Sequence, residues 1–233
     1  MLKSLVVIPT YNEKGNIQKI TEKVLSLDKD FYVLIVDDNS PDGTGPLADE
    51  LSKKYDRVSV LHRAGKQGLG TAYIAGFKNA LLRKDVGYIF EMDADFSHNP
   101  DDLLRLREGF KEADVVVGSR YCGGIRVKNW EFSRLFISKS ANMFVSMVAG
   151  VPASDSTAGF VGYKREVLEA LDLNGVTANG YGFQIEMKYK VNKKGFKIKE
   201  IPIVFSGRAE GESKFDFKII REAFLLVWKL RFR

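Results

Sequence analysis

The sequence is poor in the residues that most often carry nucleophilic or metal chemistry. Cys122 is its one cysteine, and its two histidines are His62 and His98. A single cysteine excludes an intramolecular disulfide framework and fits a reducing compartment. With no histidine near it in sequence, Cys122 also lacks the base that a thiol nucleophile needs. Long apolar runs are missing as well. Leu5-Val6-Val7-Ile8 is stopped by Pro9, far short of the ~20 residues of a spanning helix, and it shows no signal-peptide cleavage pattern. The expectation is a chain that is soluble, or that sits on a membrane without crossing it. Pro9-Thr10-Tyr11-Asn12-Glu13, just after that run, lacks the glycines of a dinucleotide fingerprint or a P-loop, which argues against both.

What is present is an ordinary globular composition: 233 residues, 45% hydrophobic and 28% charged, enough to bury a substantial core and too apolar for disorder. The net charge of +6 favours anionic partners, whether nucleic acid, phosphorylated small molecules or acidic lipid surfaces. The basic residues are spread along the chain without a recognition-helix or RNA-platform signature, so no nucleic-acid partner is expected.

Leu5 to Ile8 reads as a buried, β-branched strand. Ile17, Ile20, Val24 and Leu27 then share one helical stripe. A second strand, Tyr32 to Val36, runs into Asp37-Asp38-Asn39-Ser40. The turn Pro41-Asp42-Gly43-Thr44-Gly45 leads to a helix with Leu47, Leu51 and Tyr55 inward. Val58 to Leu61 is a third strand. After the basic loop Arg63 to Gly70, Ile74, Phe77 and Leu81 predict another helix face. Gly87 to Met92 is the fourth strand, Asn99-Pro100 opens a helix carrying Leu103, Leu106 and Phe110, and Val115 to Val117 is the fifth strand. This alternation, with nearly continuous apolar strands, predicts an α/β fold: a mostly parallel central sheet covered by helices on both faces.

Beyond Gly123 the rhythm breaks. Helices are expected over Phe132 to Val148, Arg165 to Leu171 and Tyr181 to Val191. A strand is expected over Gly159 to Tyr163, and a strand pair interrupted by Pro202 over Phe196 to Val204. The polar loop Arg208 to Lys214 precedes an apolar tail with basic punctuation, Phe215 to Arg233.

The chemistry concentrates where Tyr88-Ile89-Phe90-Glu91-Met92-Asp93-Ala94-Asp95 runs a buried strand into two carboxylates. In an extended chain alternate side chains point the same way, so Asp93 and Asp95 can converge. Close carboxylates repel unless a positive charge lies between them, and a divalent cation with phosphate ligands fits that need. The alternative is a solvated strand end and a turn. Glu13, Asp38, Asp93, Asp95 and Arg120 all fall just after strands, however, and in open α/β sheets the carboxyl ends of strands share one ligand crevice. The site reading is therefore preferred. Tyr11 is either a ring on which a base stacks or a half-buried aromatic. Glu13 and Asp38 can accept hydrogen bonds from a base or ribose hydroxyls, with a helix N-cap the alternative for Asp38. His98 is either a further ligand or, by preference, the turn residue before Asn99-Pro100.

Val6-Val7-Ile8-Pro9-Thr10-Tyr11-Asn12-Glu13, Val36-Asp37-Asp38-Asn39-Ser40-Pro41-Asp42-Gly43-Thr44 and Met92-Asp93-Ala94-Asp95 resemble the inverting family 2 glycosyltransferases of the GT-A fold. Gly118-Ser119-Arg120-Tyr121 and Arg208-Ala209-Glu210-Gly211-Glu212-Ser213-Lys214 are similar to the dolichyl-phosphate (polyprenyl-phosphate) mannose synthases among them. The resemblance implies one GT-A domain over residues 1–217. It also implies inverting, metal-assisted transfer of mannose from GDP-mannose to a dolichyl or polyprenyl phosphate. Two alternatives stay open: a UDP-glucose-dependent glucosyltransferase acting on the same lipid, and a non-catalytic module binding nucleotide sugar or lipid.

By the same resemblance, Pro9, Tyr11, Glu13, Val36 and Asp38 hold the donor's nucleoside. Asp93 and Asp95 address Mg²⁺ or Mn²⁺ on its diphosphate, with Ala94 lining the site. Arg208 and Lys214 close over the donor, while Arg120, Arg134 and Ser138 face the acceptor phosphate. Asp95, Arg120 and Arg208 are the implied catalytic residues. Some relatives carry glutamine two residues after the second aspartate as an extra metal ligand. This chain has Ser97, which leaves that place to a water. Such chemistry asks the cation and Arg/Lys side chains to stabilise a departing diphosphate. It asks for no general base, because the acceptor phosphate is already ionised, and this suits a site without a catalytic histidine.

Residues 218–233 read as a basic amphipathic helix, with Ile219, Ile220, Ala223, Phe224, Val227 and Trp228 among Lys218, Arg221, Lys229, Arg231 and Arg233. Such a helix lies in the headgroup plane of a membrane or docks on the core. The Phe/Met-rich stretch Phe132 to Val148 presents the same pair of alternatives. An isoprenoid acceptor needs an apolar landing, so at least one of the two is expected at the membrane. The resemblance places the protein in the cytoplasm, peripheral on the cytoplasmic face, with a membrane-anchoring subunit as a further partner.

Overall fold

Successive side chains of the first strand go to opposite faces of one sheet, and each face is buried. The computed structural model describes residues 2–128, 130–206 and 226–232. In β1 (Lys3–Thr10), Leu5 and Val7 join one core cluster while Val6 and Ile8 join another. Together with β1, the strands β2 (Phe31–Asp37), β3 (Val58–His62), β4 (Val86–Glu91) and β5 (Val115–Ser119) alternate with α1 (Lys14–Leu27), α2 (Thr44–Lys54), α3 (Leu69–Leu81) and α4 (Asp102–Gly109). The second half adds β6 (Val127–Lys128), α5 (Phe132–Ala149), β7 (Val161–Lys164), α6 (Arg165–Ala170), α7 (Tyr181–Lys193), β8 (Ile198–Pro202) and β9 (Phe205–Ser206).

Helices α1, α2 and α4 cover one face through Ile17, Ile20, Val24, Leu51, Leu103 and Leu106. The other face is covered by α3, α6 and α7, through Tyr73, Phe77, Val167, Leu168, Phe183 and Met187. A third cluster joins α5 and α7 to the helical residues 226–231: Val145, Ile185, Val227 and Leu230 pack together, and the Tyr189 hydroxyl donates to the Leu230 carbonyl at 2.5 Å. The described end of the tail thus docks on the core, and the rest of residues 218–233 lies outside the described residues.

Two local expectations are corrected, at α3 and at Pro202. The sheet order is β3-β2-β1-β4-β7-β5-β8, with β7 antiparallel between β4 and β5 in an otherwise parallel sheet. Gly162 permits that insertion, since a Cβ there would lie 2.6 Å from the Phe90 ring and 2.8 Å from Val116. The inward stripe of α3 is Tyr73, Gly76, Phe77 and Ala80, with Ile74 and Leu81 on its flank. Gly76 sets this rotation, because a Cβ there would meet Val7 at 2.4 Å. Finally, Pro202 ends β8 at the sheet edge, where a missing N–H is tolerated, and β9 pairs instead with β6 in a separate two-stranded ribbon.

Candidate active site

The carboxyl ends of β1 and β2 carry loops that are stapled together. Asp37 is buried and accepts from the Thr10 hydroxyl at 3.0 Å, the Ser40 hydroxyl at 2.6 Å and the Ser40 amide at 3.1 Å. The Asn12 amide donates to Ser40 Oγ, the Glu13 amide to Thr44 Oγ1 and the Lys14 amide to Asp42. Asn12 and Asn39 both sit in the left-handed region, which asparagine tolerates. Asp38 emerges from this scaffold and receives Arg63 Nη1 at 2.7 Å. Burial pushes its carboxyl above the ordinary value, with Arg63 opposing. Tyr11 is exposed, and the Lys66 ammonium lies 4.2 Å from its ring centroid. The Glu13 carboxylate accepts from Asn16. Val36 is wholly buried, its side chain packed beside Gly76. Pro9 is half-buried on β1.

The acidic pair is placed by a turn rather than by strand alternation, because β4 stops at Glu91. The Tyr73 hydroxyl donates to Asp93 Oδ1 at 3.1 Å, and the Ser97 amide to Asp95 Oδ1 at 3.0 Å. Between them Ala94 is buried, and Phe96 takes φ 57°, a left-handed conformation that costs a bulky residue energy. Both carboxylates act on the Tyr73 hydroxyl and on His98, so they share one neighbourhood. His98 is buried, stacks on Phe160, and accepts the Asp93 amide on Nδ1 at 3.4 Å. Burial lowers its pKa, which keeps the ring neutral, and its role is that of a turn anchor.

The donor set fits a hard cation that brings phosphate and water ligands of its own. Among the described residues no group of three or more His, Cys, Asp or Glu side chains could hold a metal by itself. A cation held there by Asp93 and Asp95 would take the rest of its shell from those phosphate and water ligands. Beside the two aspartates, the Ser97 hydroxyl is buried and has no hydrogen-bond partner among the described residues, as a group does when its partner is a bound water or ligand.

At the end of β5, Arg120 turns inward. Its Nε reaches Asp155 Oδ2 at 2.7 Å, and its Nη2 reaches Asp155 Oδ1 at 2.5 Å and Thr157 Oγ1 at 2.7 Å. Arg120 and Asp155 are buried, and Thr157 is partly buried. The Tyr121, Trp130 and Phe205 rings surround the guanidinium at 5.3, 5.4 and 5.6 Å. Burial opposes charge on Asp155, but the Arg120 cation and its hydrogen bonds outweigh it and hold the carboxyl below its usual range. Ser138 lies on α5 and accepts the Tyr121 hydroxyl at 2.7 Å. Arg134 is also on α5, with its side chain outside the described set, and Arg208 and Lys214 lie outside the described residues.

Residues 5–172 match the model of glycosyl transferase family 2. The chain belongs to that family. Its fold is of the GT-A type, and it is a glycosyltransferase. The polyprenol monophosphomannose synthase of Mycolicibacterium smegmatis is 46% identical over 99% of this chain and 88% of its own length. The undecaprenyl-phosphate mannosyltransferase of Micrococcus luteus is 42% identical, over 100% of this chain and 96% of its own. The dolichol-phosphate mannosyltransferase of Pyrococcus furiosus is 37% identical over 98% of this chain and 64% of its own. A glucosyl-3-phosphoglycerate synthase from Mycobacterium tuberculosis, solved with Mn²⁺, UDP-glucose and phosphoglyceric acid, shares the fold at TM-score 0.70. That likeness covers 99% of this chain and 80% of the other at 15% identity.

Several residues that shape this glycosyltransferase's site escape a reading of the sequence. Tyr73 is hidden in a helix whose buried stripe is rotated from the apolar one. Arg63 looks like part of a solvated basic loop. Asp155, Thr157 and Asn142 lie in the half where strand and helix stop alternating, although the polar run Ser154-Asp155-Ser156-Thr157 is itself a signal. A second buried network lies behind Asp93. Glu91 accepts from the Tyr163 hydroxyl at 2.8 Å and from the Gln184 amide, while Lys188 donates to the Ala158 carbonyl at 2.8 Å and to Gln184 Oε1 at 3.2 Å. Burial raises the Glu91 carboxyl and lowers the Lys188 ammonium, each opposed by the other's charge.

Proposed function

We propose that this glycosyltransferase moves mannose from GDP-mannose to a dolichyl or other polyprenyl phosphate, with inversion at the anomeric carbon. The observation that carries the reading is the 46% identity, across 99% of the chain, to a relative named polyprenol monophosphomannose synthase. The geometry supports it by offering two differently built ends: an acidic one after β1, β2 and β4, and one after β5 where Arg120 and Ser138 of α5 are joined through a hydrogen-bond network.

At the donor end, Tyr11 offers its ring to the base, and Glu13 and Asp38 accept from base or ribose donors. Accepting at Asp38 would compete with Arg63, and stacking on Tyr11 would displace Lys66, so both cations would be freed towards the phosphates. Asp93 and Asp95 would hold Mg²⁺ or Mn²⁺, which when bound would offset the charge growing on the departing diphosphate. Arg208 and Lys214, which follow β9 in sequence and lie outside the described residues, are proposed to close over the donor. At the acceptor end, Arg120, Arg134 and Ser138 receive the lipid phosphate. Its oxygen attacks the anomeric carbon from the face opposite the diphosphate, which inverts that centre. No side chain must take a proton, and His98, its Nδ1 already accepting from the Asp93 amide, is not needed as a base.

The site is proposed to work at the cytoplasmic face of a membrane. Among the described residues no helix is long and apolar enough to cross one. The exposed Phe132, Phe136, Met143 and Met147 of α5 would supply a shallow apolar contact. One incubation tests the whole reading: radiolabelled GDP-mannose or UDP-glucose, a short polyprenyl phosphate, and extraction of labelled lipid. Label from GDP-mannose alone is expected. Label from UDP-glucose alone, or none that depends on the lipid phosphate, would overturn it.

A further inference from the structure

Arg120 and Ser138 come from different elements, one after β5 and one on α5, yet a closed ring of hydrogen bonds joins them. Arg120 Nη2 donates to Thr157 Oγ1 at 2.7 Å, and Asn142 Nδ2 donates to the same hydroxyl at 3.3 Å. The Thr157 amide returns to Asn142 Oδ1 at 3.2 Å, so the two residues clasp each other. Asn142 Nδ2 also reaches the Ser138 carbonyl at 2.9 Å, and the Ser138 hydroxyl accepts from Tyr121, the neighbour of Arg120, at 2.7 Å. Every polar atom of the buried Asn142 side chain is committed to this ring.

Asp155 fixes the ring to the sheet. It takes the Arg120 amide at 2.9 Å as well as the guanidinium, and its own amide donates to Glu200 on β8 at 3.0 Å. Glu200 also takes the Ser154 amide at 2.8 Å. With Nε and Nη2 engaged, Nη1 is the edge of Arg120 that makes no hydrogen bond among the described residues. Asp155 is also within electrostatic reach of the buried Lys188. Polar groups that hold one another through several mutual hydrogen bonds, with Arg120, Asp155 and Asn142 buried, form a rigid network, and rigidity matters where two groups must meet one ligand at a set spacing.

We propose that Asp155, Thr157 and Asn142 are positioning residues for the acceptor: they hold Arg120 and Ser138 as one preformed cradle for a phosphate monoester headgroup. The inference rests on the reading that Arg120 and Ser138 receive the acceptor phosphate. Its loss should appear in acceptor kinetics and leave the donor end alone. In Thr157→Val, which keeps the shape and removes the hydroxyl, the KM for a short-chain polyprenyl phosphate should rise about tenfold. The donor KM and the affinity for free nucleoside diphosphate should stay within about twofold. Thr157→Ser should restore the acceptor KM, and Asn142→Leu should repeat the effect from the other side of the clasp. Calorimetric titration of the short polyprenyl phosphate into wild type and Thr157→Val, with nucleoside diphosphate present, reads the same step without turnover. Equal acceptor affinity in the folded variants, or equal losses at donor and acceptor, would overturn the inference while leaving the transferase reading intact. A wild type that neither binds nor glycosylates the lipid phosphate would overturn both.

Discussion

The Tyr73 hydroxyl donates to Asp93 Oδ1 at 3.1 Å from a ring stacked between Phe77 and Phe183 and closed off from solvent. Burial and the Asp93 charge both raise its pKa, so the hydroxyl keeps its proton and donates it to Asp93. It fixes one carboxylate of the acidic pair without competing for a cation. Tyr73→Phe should therefore fold normally and lower kcat/KM about tenfold, the scale of one hydrogen bond to a charged group. Kinetics at a series of Mg²⁺ or Mn²⁺ concentrations check this. The deficit should shrink as the ion is raised, and unchanged kinetics would mean that Asp93 needs no such support.

The first half of the fold was legible because each strand there is followed by a helix of clear period, and parallel strands buried on both faces read as unbroken apolar runs. The second half was legible only as separate elements. The insertion of β7 between β4 and β5 depends on partners distant in sequence, which no local pattern records. The same holds for the site. Asp93, Asp95, Glu13 and Asp38 could be picked out as polar residues at strand ends. Arg120 could be picked out too, but not Asp155, which decides where its guanidinium goes. The alternation argument does not describe how the acidic pair is placed, since a turn at Phe96 and the Ser97 amide set Asp95 in position.

Gly162 tests the insertion directly. A methyl group there would lie 2.6 Å from Phe90 on one side and 2.8 Å from Val116 on the other. Gly162→Ala should destabilise the protein by about 1–3 kcal/mol, the range for overpacking a filled core, read as a lower denaturation midpoint. A midpoint equal to wild type would mean that β7 does not lie between β4 and β5 at this register.

The Arg120–Asp155 pair makes stability depend on pH in a definite sense. The folded-state pKa of Asp155 lies below its unfolded value. Its contribution is thus complete above the ordinary carboxylate range of about 4 and is lost as pH falls through the depressed value. Asp155→Asn leaves a buried cation without its counter-charge, which typically costs about 3–5 kcal/mol. Denaturant unfolding at neutral pH should show that loss. The gap between variant and wild type should narrow in acid, and a gap that persists unchanged there would refute the assignment of the loss to charge.

Helix α5 faces two ways, and this separates its structural role from a membrane role. Asn142, Val145 and Ala149 are buried against the body of the protein, whereas Phe132, Phe136, Met143 and Met147 are 81%, 65%, 60% and 72% exposed. Their spacing keeps them on one stripe, so the stripe is not simply core seen edge-on. Trp228 and Phe232, stacked on each other at 5.7 Å, are also exposed beside a tail that docks through Val227 and Leu230. If the stripe is the lipid contact, Phe132→Ser with Phe136→Ser should reduce flotation with anionic liposomes several-fold. The same pair should leave the denaturation midpoint within about 0.5 kcal/mol, as for surface changes generally. Transfer to a short, water-soluble polyprenyl phosphate should persist while transfer to a long-chain acceptor in vesicles falls. Undiminished flotation would exclude α5 as the contact and shift the role to the tail, and equal loss on both acceptors would place the phenylalanines in the acceptor site itself.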